Sequence, residues 1–166
     1  MKKNFTLVEV IVSVGIIIII IGAIFFVFKA TRDVFYTTSL RIRLWEKAKE
    51  ALSYMEREIL STRLSFLSIP ADGNFYNSLT FRVPQDIDED GNITWSGNIT
   101  YSLNDHNLIR TQGANTQIIS SGVEELKFRI ESGLPQIVEV YITVSGVTPY
   151  NRTISVTLDT RIRVRN

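Results

Sequence analysis

Residues 7–28 are apolar at almost every position, with Glu9 their one charge and Ile16 to Ile21 running without a break. As a helix rising about 1.5 Å per residue, this stretch reaches about 33 Å, enough to cross a bilayer's hydrocarbon core of about 30 Å. A secretory signal has a shorter apolar region, about 7–15 residues, closed by a small-residue cleavage site. No such site follows Phe28 convincingly, so the segment is expected to stay on the protein.

Residues 31–67 contain neither Gly nor Pro and are rich in helix formers, which predicts that the same helix continues to a break at Pro70. Within it Trp45, Ala48, Leu52, Met55 and Ile59 recur at steps of three and four and share one stripe. Glu46, Lys47, Lys49, Glu50, Glu56 and Arg57 occupy the other faces. The pattern fits a helix packing one face on a globular domain, since the stripe is short for a coiled-coil seam.

Beyond Pro70 the spacing changes to short alternating runs separated by Gly, Asn, Asp and Pro, the signature of antiparallel strands. Strands are predicted at 79–83, 98–103, 107–111, 123–131, 137–144 and 152–164. Asn104, Asp105 and His106 supply the turn of a hairpin between the second and third. In the last strand Ile154, Val156, Leu158, Ile162 and Val164 share one face, while Thr153, Ser155, Thr157, Asp159, Arg161, Arg163 and Arg165 share the other. A sheet with one apolar face must cover it, and the amphipathic helix is the available cover. The predicted class is α+β: a long N-terminal α-helix, half transmembrane and half amphipathic, packed against an antiparallel β-sheet.

Composition narrows the function classes. The 166 residues carry 18 Lys and Arg against 17 Asp and Glu, so no basic excess points to direct nucleic acid contact. There is no cysteine, which removes disulfides and thiolate ligation. With one histidine, His106, set among turn formers, and no nucleophile or phosphate-loop motif, an enzyme is not expected and no cofactor is required.

Three other features hold candidate chemistry. Asp86, Asp88, Asp90 and Gly91 have the D-x-D-x-D-G spacing that opens a calcium loop, where alternate oxygens converge and Gly allows the bend. Gly97 stands where the closing Glu belongs, so the run reads either as calcium ligands or as an acidic turn between strands. Gly15 and Gly22 lie seven apart on the apolar helix, where small residues permit close helix approach, although Gly is common in such helices. Arg161, Arg163 and Arg165 could meet an acidic partner subunit, or solvate a strand face and discourage aggregation.

The run Asn4-Phe5-Thr6-Leu7-Val8-Glu9, behind Lys2 and Lys3, resembles the start of the type IV pilin and type II secretion pseudopilin superfamily. That family has a short basic leader ending in a small residue, usually Gly, and then Phe-Thr-Leu-(Ile or Val)-Glu. Asn4 stands at the Gly position, Phe5 matches the first mature residue and Glu9 the fifth. The resemblance is strong over the first thirty or so residues and general thereafter, with a C-terminal half and an ending, Arg161-Ile162-Arg163-Val164-Arg165-Asn166, similar to the J-type minor pseudopilins and the corresponding minor pilins.

The resemblance implies a pilin-like organisation: leader 1–4, transmembrane assembly helix 5–30, amphipathic helix 31–68 and β domain 69–166. It implies cleavage between Asn4 and Phe5 by a prepilin peptidase, N-methylation of Phe5, and contact with other pilin or pseudopilin subunits, an inner-membrane assembly platform and, before assembly, membrane lipid. It orients the chain as a single-pass protein of a prokaryotic cytoplasmic membrane with its leader inside, which Lys2 and Lys3 against Lys29, Arg32, Arg41 and Arg43 leave undecided. Some members of the family bind calcium. A carboxylate such as Glu9 in an apolar helix needs a partner, since its cost is about 2.5–3.5 kcal/mol at a helix centre and less near an end. After cleavage the new amine of Phe5 would lie one turn away, in the same chain or the next subunit, where a buried ion pair fixes axial register. The alternative is a monomeric, membrane-anchored extracytoplasmic β-rich binding module that never polymerises.

Overall fold

A computed structural model describes residues 6–134 and 136–165. The chain divides into two compact units, Met1–Ser39 and Leu40–Asn166. A single helix, α1 (Leu7–Ser61, 55 residues), contributes to both.

In the first unit every described residue up to Phe35 is exposed, and the bulk of this surface is aliphatic or aromatic: Leu7 keeps 77% of its area and Phe26 74%. It is the one helix among the described residues long and apolar enough to cross a membrane. A bare apolar surface of this extent has no stable place in water, so lipid or other helices must cover it.

In the second unit α1 buries Leu44, Ala48, Ala51, Leu52, Met55 and Ile59. The stripe differs from the predicted one at its start, because Trp45 is 44% exposed and Leu44 takes the inward place. Trp45 lies outside with the Lys49 ammonium 4.9 Å over its ring. The helix reaches the sheet closely at Gly146, where a Cβ would sit 3.2 Å from Leu40 Cδ1 and 3.4 Å from Leu44 Cδ2.

The helix also ends before the predicted 67 or 68, at Ser61. Ser61 and Thr62 are weak helix formers, and Thr62 uses its hydroxyl elsewhere, donating to Arg82 O at 2.6 Å. Leu64 N–H then donates to Arg165 O at 3.0 Å, and a 3-10 turn at Leu64–Phe66 follows.

Among the described residues nine strands follow: β1 (Ser78–Phe81), β2 (Pro84–Ile87), β3 (Ile93–Trp95), β4 (Ile99–Asn104), β5 (Asn107–Gln112), β6 (Asn115–Ser121), β7 (Val123–Ile130), β8 (Ile137–Val147) and β9 (Thr153–Arg163). All six predicted strands are present within a few residues. Two expectations change: β2, β3 and β6 are additional, and the strands form three antiparallel sheets, β1-β4-β5-β6, β2-β3 and β7-β8-β9. Of the predicted turn residues Asn104, Asp105 and His106, Asn104 ends β4 and the other two form a tight turn, with φ of 46° and 58°. Both residues take the left-handed region that a two-residue hairpin turn requires.

One core joins helix and sheets, with Met55 and Ile59 from α1, Leu79, Phe81, Ile99 and Tyr101 from β1 and β4, and Phe128, Val140 and Ile142 from β7 and β8 all fully buried. The class is α+β, a long N-terminal helix packed through its second part on antiparallel sheets. In β9 the alternation holds in graded form: Ile162 is buried while Ile154, Val156 and Leu158 are half-buried.

Candidate membrane-assembly segment and buried ion pairs

The start of α1 is built by a reciprocal cap. Thr6 Oγ1 accepts from Glu9 N–H at 3.3 Å, and Glu9 Oε2 accepts from Thr6 N–H at 3.0 Å and from Thr6 Oγ1 at 3.1 Å. This is a capping box, in which two backbone donors that the helix start would leave open are satisfied by side chains. Its sequence signal, Thr-x-x-Glu before an apolar run, is present at Thr6 and Glu9 but was not part of the expectation, which paired Glu9 with an amine. A carboxylate in the first turn also lies at the favourable, positive end of the helix dipole. Glu9 therefore has a local partner in the single chain, through one carboxylate oxygen. Asn4 and Phe5, the expected processing residues, lie outside the described residues.

Gly15 and Gly22 are open, with nothing within 4 Å of a Cβ built at either. Neither is required by crowding inside the chain.

The acidic run forms the tip of the β2–β3 hairpin. Asp88 Oδ1 accepts from Asn92 N–H at 2.7 Å and Asp90 N–H at 3.1 Å, and its Oδ2 accepts from the Asn92 amide at 3.1 Å. Those bonds from Asn92, backbone first, hold the Asp88 carboxyl below its ordinary range. Asp86 accepts from Ile87 N–H at 2.8 Å, and Gly91 has the positive φ, 82°, that closes the tip. The structure thus gives Asp88 to the hairpin's own amides, and among the described residues no group of three or more His, Cys, Asp or Glu gathers as a metal cage. His106 stands at its turn with Nδ1 3.4 Å from Glu124 Oε2.

Two charged clusters were not legible from residue order. In the first, Glu58 of α1 meets Arg110 of β5 and Tyr101 of β4. Arg110 Nε donates to both carboxylate oxygens at 3.0 Å, its Nη2 lies 2.9 Å from Oε1, and the Tyr101 hydroxyl donates to Oε2 at 2.5 Å. Burial pushes the Tyr101 hydroxyl well above its ordinary range, and the Glu58 hydrogen bond adds to the shift. Arg110's own hydrogen bonds to Glu58, set against desolvation, raise its guanidinium above the ordinary range.

In the second, Glu139 of β8 is flanked across the sheet by Arg129 of β7 and Arg161 of β9. Its side chain is 2% exposed. Oε2 accepts from Arg129 and, at 3.1 Å, from the Tyr141 hydroxyl, while Oε1 lies 2.7 Å from Arg161 Nε without hydrogen-bond alignment. Burial opposes its ionisation, but the bonds from Arg129 and Tyr141 and the two guanidinium charges prevail and hold the carboxyl below its ordinary range. Phe75 covers the cluster, its ring 4.8 Å from the Arg129 guanidinium carbon and edge-on to Tyr141 at 5.2 Å. An alternating strand marks Glu139 only as a residue of the polar face; the flanking arginines come from register.

No protein-family model matches the chain, and no curated protein matches it significantly.

Proposed function

We propose that the chain is a minor pilin or pseudopilin subunit that assembles into, initiates or caps a type IV pilus or type II secretion pseudopilus. The observation that carries this reading is the pairing, on one helix, of a Thr6–Glu9 start and a bare apolar surface with a stripe that forms part of the core of a β-rich unit. A bilayer covers such a surface in the single chain, and neighbouring apolar helices cover it in a filament. Extraction from lipid into a bundle of like helices exchanges one apolar cover for another, so packing and polar pairing decide the association.

Glu9 sets the register in this proposal. Its cap on Thr6 satisfies part of the carboxylate's bonding in the membrane, and the amine of Phe5 in the adjoining subunit supplies the opposite charge after cleavage. Removing one partner of a buried pair costs about 3–5 kcal/mol, enough to select one axial stagger over its neighbours. The leader then faces the cytoplasm and the β-rich unit the extracytoplasmic side. The prepilin peptidase, the assembly platform and other subunits are the partners.

The test is intact-mass and N-terminal analysis of the membrane fraction, with and without the peptidase. The expected product begins at Phe5 and carries one added methyl group. Chains that retain Met1-Lys2-Lys3-Asn4 in cells with an active peptidase would instead favour the monomeric tethered module. Glu9→Val is expected to leave membrane insertion intact and abolish incorporation into filaments, and normal incorporation of that variant would refute the register role. Thr6→Ala should cost about 1 kcal/mol of helix-start stability by loss of the cap.

A further inference from the structure

We infer that the outer edge of β9 is a docking site for an extended, acidic segment of another protein, which adds to the β7-β8-β9 sheet as its next strand. The hydrogen-bond parity of β9 comes first. Thr148 N–H donates to Arg152 O at one end of the strand, and Val164 N–H donates to Gln136 O at the other. Both bonds continue the β8–β9 ladder, whose register pairs Val147 with Thr153 and Ile137 with Arg163. A strand residue points its N–H and C=O to the same side, and successive residues alternate. Even-numbered residues of β9 therefore serve β8, and Thr153, Ser155, Thr157, Asp159, Arg161 and Arg163 direct their backbone groups to the open side.

Arg165 confirms the parity, because its carbonyl, on that open side, accepts from Leu64 N–H in a parallel bridge between Arg63 and Arg165. The bridge closes one end of the edge. Among the described residues β8 is the one strand that β9 pairs with.

An open edge of this kind usually carries a device against pairing along its length, such as a short strand, a bulge, a proline or charged side chains, and β9 has only the last of these, confined to residues 159–163. β9 has 11 residues in the sequence TISVTLDTRIR, with no proline, glycine or lysine, and its ladder to β8 has no register irregularity, unlike those of β2–β3, β5–β6 and β7–β8. Its charges are concentrated toward the closed end on one face. Arg161 is held by Nε against the buried Glu139, which leaves the two Nη groups of a 65% exposed side chain available. Arg163 is steadied by Gln136, to whose Oε1 its Nη2 donates at 3.5 Å. Two guanidinium groups two residues apart, one held by Glu139 of β8 and the other by Gln136 just before it, match carboxylates at alternate positions of an incoming strand. On the opposite face half-buried Val156 and Leu158 would gain cover from apolar residues of the same segment. Main-chain bonds supply the binding and the arginines the selection, the division of labour of strand addition.

The experiment uses the full chain in detergent micelles and two synthetic eleven-residue peptides of alternating Thr and Val. One has two Thr replaced by Glu two positions apart, the other by Lys. The Glu peptide is expected to slow amide exchange at Thr157, Asp159 and Arg161 and to bind about five- to tenfold more tightly than the Lys peptide. The double variant Arg161→Glu, Arg163→Glu should reverse that preference, a gain of binding that an unfolded variant could not show. Three results would overturn the inference: equal binding of both peptides, no protection of those amides at saturating peptide, or protection that rises with the concentration of the chain alone, which would make a second copy the occupant.

Discussion

Arg110→Ala should lower the unfolding free energy of the β-rich unit by about 2–4 kcal/mol, somewhat less than the full cost of a broken buried pair because water retains some access. The side chains of Arg110 and Glu58 are 14% and 20% exposed, so solvent screens the pair in part. The guanidinium meets both oxygens of Glu58, and the Tyr101 hydroxyl meets one of them at 2.5 Å. Its removal leaves a half-buried carboxylate with one neutral donor, and Glu58 lies on the helix whose Met55 and Ile59 are part of the core. Arg110→Lys should fall between, since an ammonium keeps the charge and loses the planar fork. Urea denaturation followed by circular dichroism measures the change. The Glu58→Ala, Arg110→Ala double variant should lose less than the sum of the single losses, and strict additivity would show that the pair is not coupled.

Arg129→Ala should cost about 2–3 kcal/mol at neutral pH and change the shape of the acid limb. Glu139 is the buried member of its cluster, and Arg161, 65% exposed, meets it without hydrogen-bond alignment, so Arg129 is the principal donor to the carboxylate. In the native protein the Glu139 carboxyl lies below its ordinary value of 4.5, with burial raising it and the Arg129 bond, then Tyr141, lowering it further. A lowered native pKa contributes stability that is fully present above the unfolded value and is lost as pH falls through the native one. Melting temperature should therefore fall on acidification below about 4.5, and Glu139→Gln should flatten that fall. Without Arg129 the largest lowering influence on the carboxyl is lost, so it titrates at higher pH than in the native protein, and the variant should lose less stability than the wild type on acidification. A wild-type acid limb in Arg129→Ala would count against this assignment.

The two clusters show where sequence order stops being informative. Tyr101 and Arg110 lie 43 and 52 positions from Glu58 along the chain, and only the β4–β5 pairing and the seating of α1 bring them together. Register makes the Arg129–Glu139–Arg161 row in the same way. A shift of one residue would send each side chain to the other face. The Thr6–Glu9 cap differs, because it is local and follows from a spacing of three at a helix start. The acidic run is intermediate: its turn residues announce a hairpin tip, but which amides Asp88 would accept from depends on the fold of residues 88–92.

The helix stripe makes the same point at the level of packing. A 3.6-residue period sets Leu44 and Trp45 about 100° apart, toward opposite borders of the apolar stripe, so the pattern alone admits either at its edge. The contact at Gly146 admits Leu44, and the bulkier indole remains outside beneath Lys49. Likewise β2, β3 and β6 carry mostly exposed side chains, so hydrophobic alternation gives them little signal; backbone pairing to a neighbour makes them strands.

By itself the sequence determined the apolar first part of the helix, the amphipathic continuation, the six more strongly patterned strands and the α+β class, because each rests on periodicity within a window of a few residues. It also carried Glu9 and the Asn4-to-Val8 run before it, on which the proposed assembly role depends. The tertiary structure decided the end of α1 at Ser61, the division into three sheets, the buried charge clusters and the open edge of β9. Each of these depends on which distant backbone groups meet, through hydrogen bonds such as Leu64 to Arg165 and Val164 to Gln136 that no local pattern encodes.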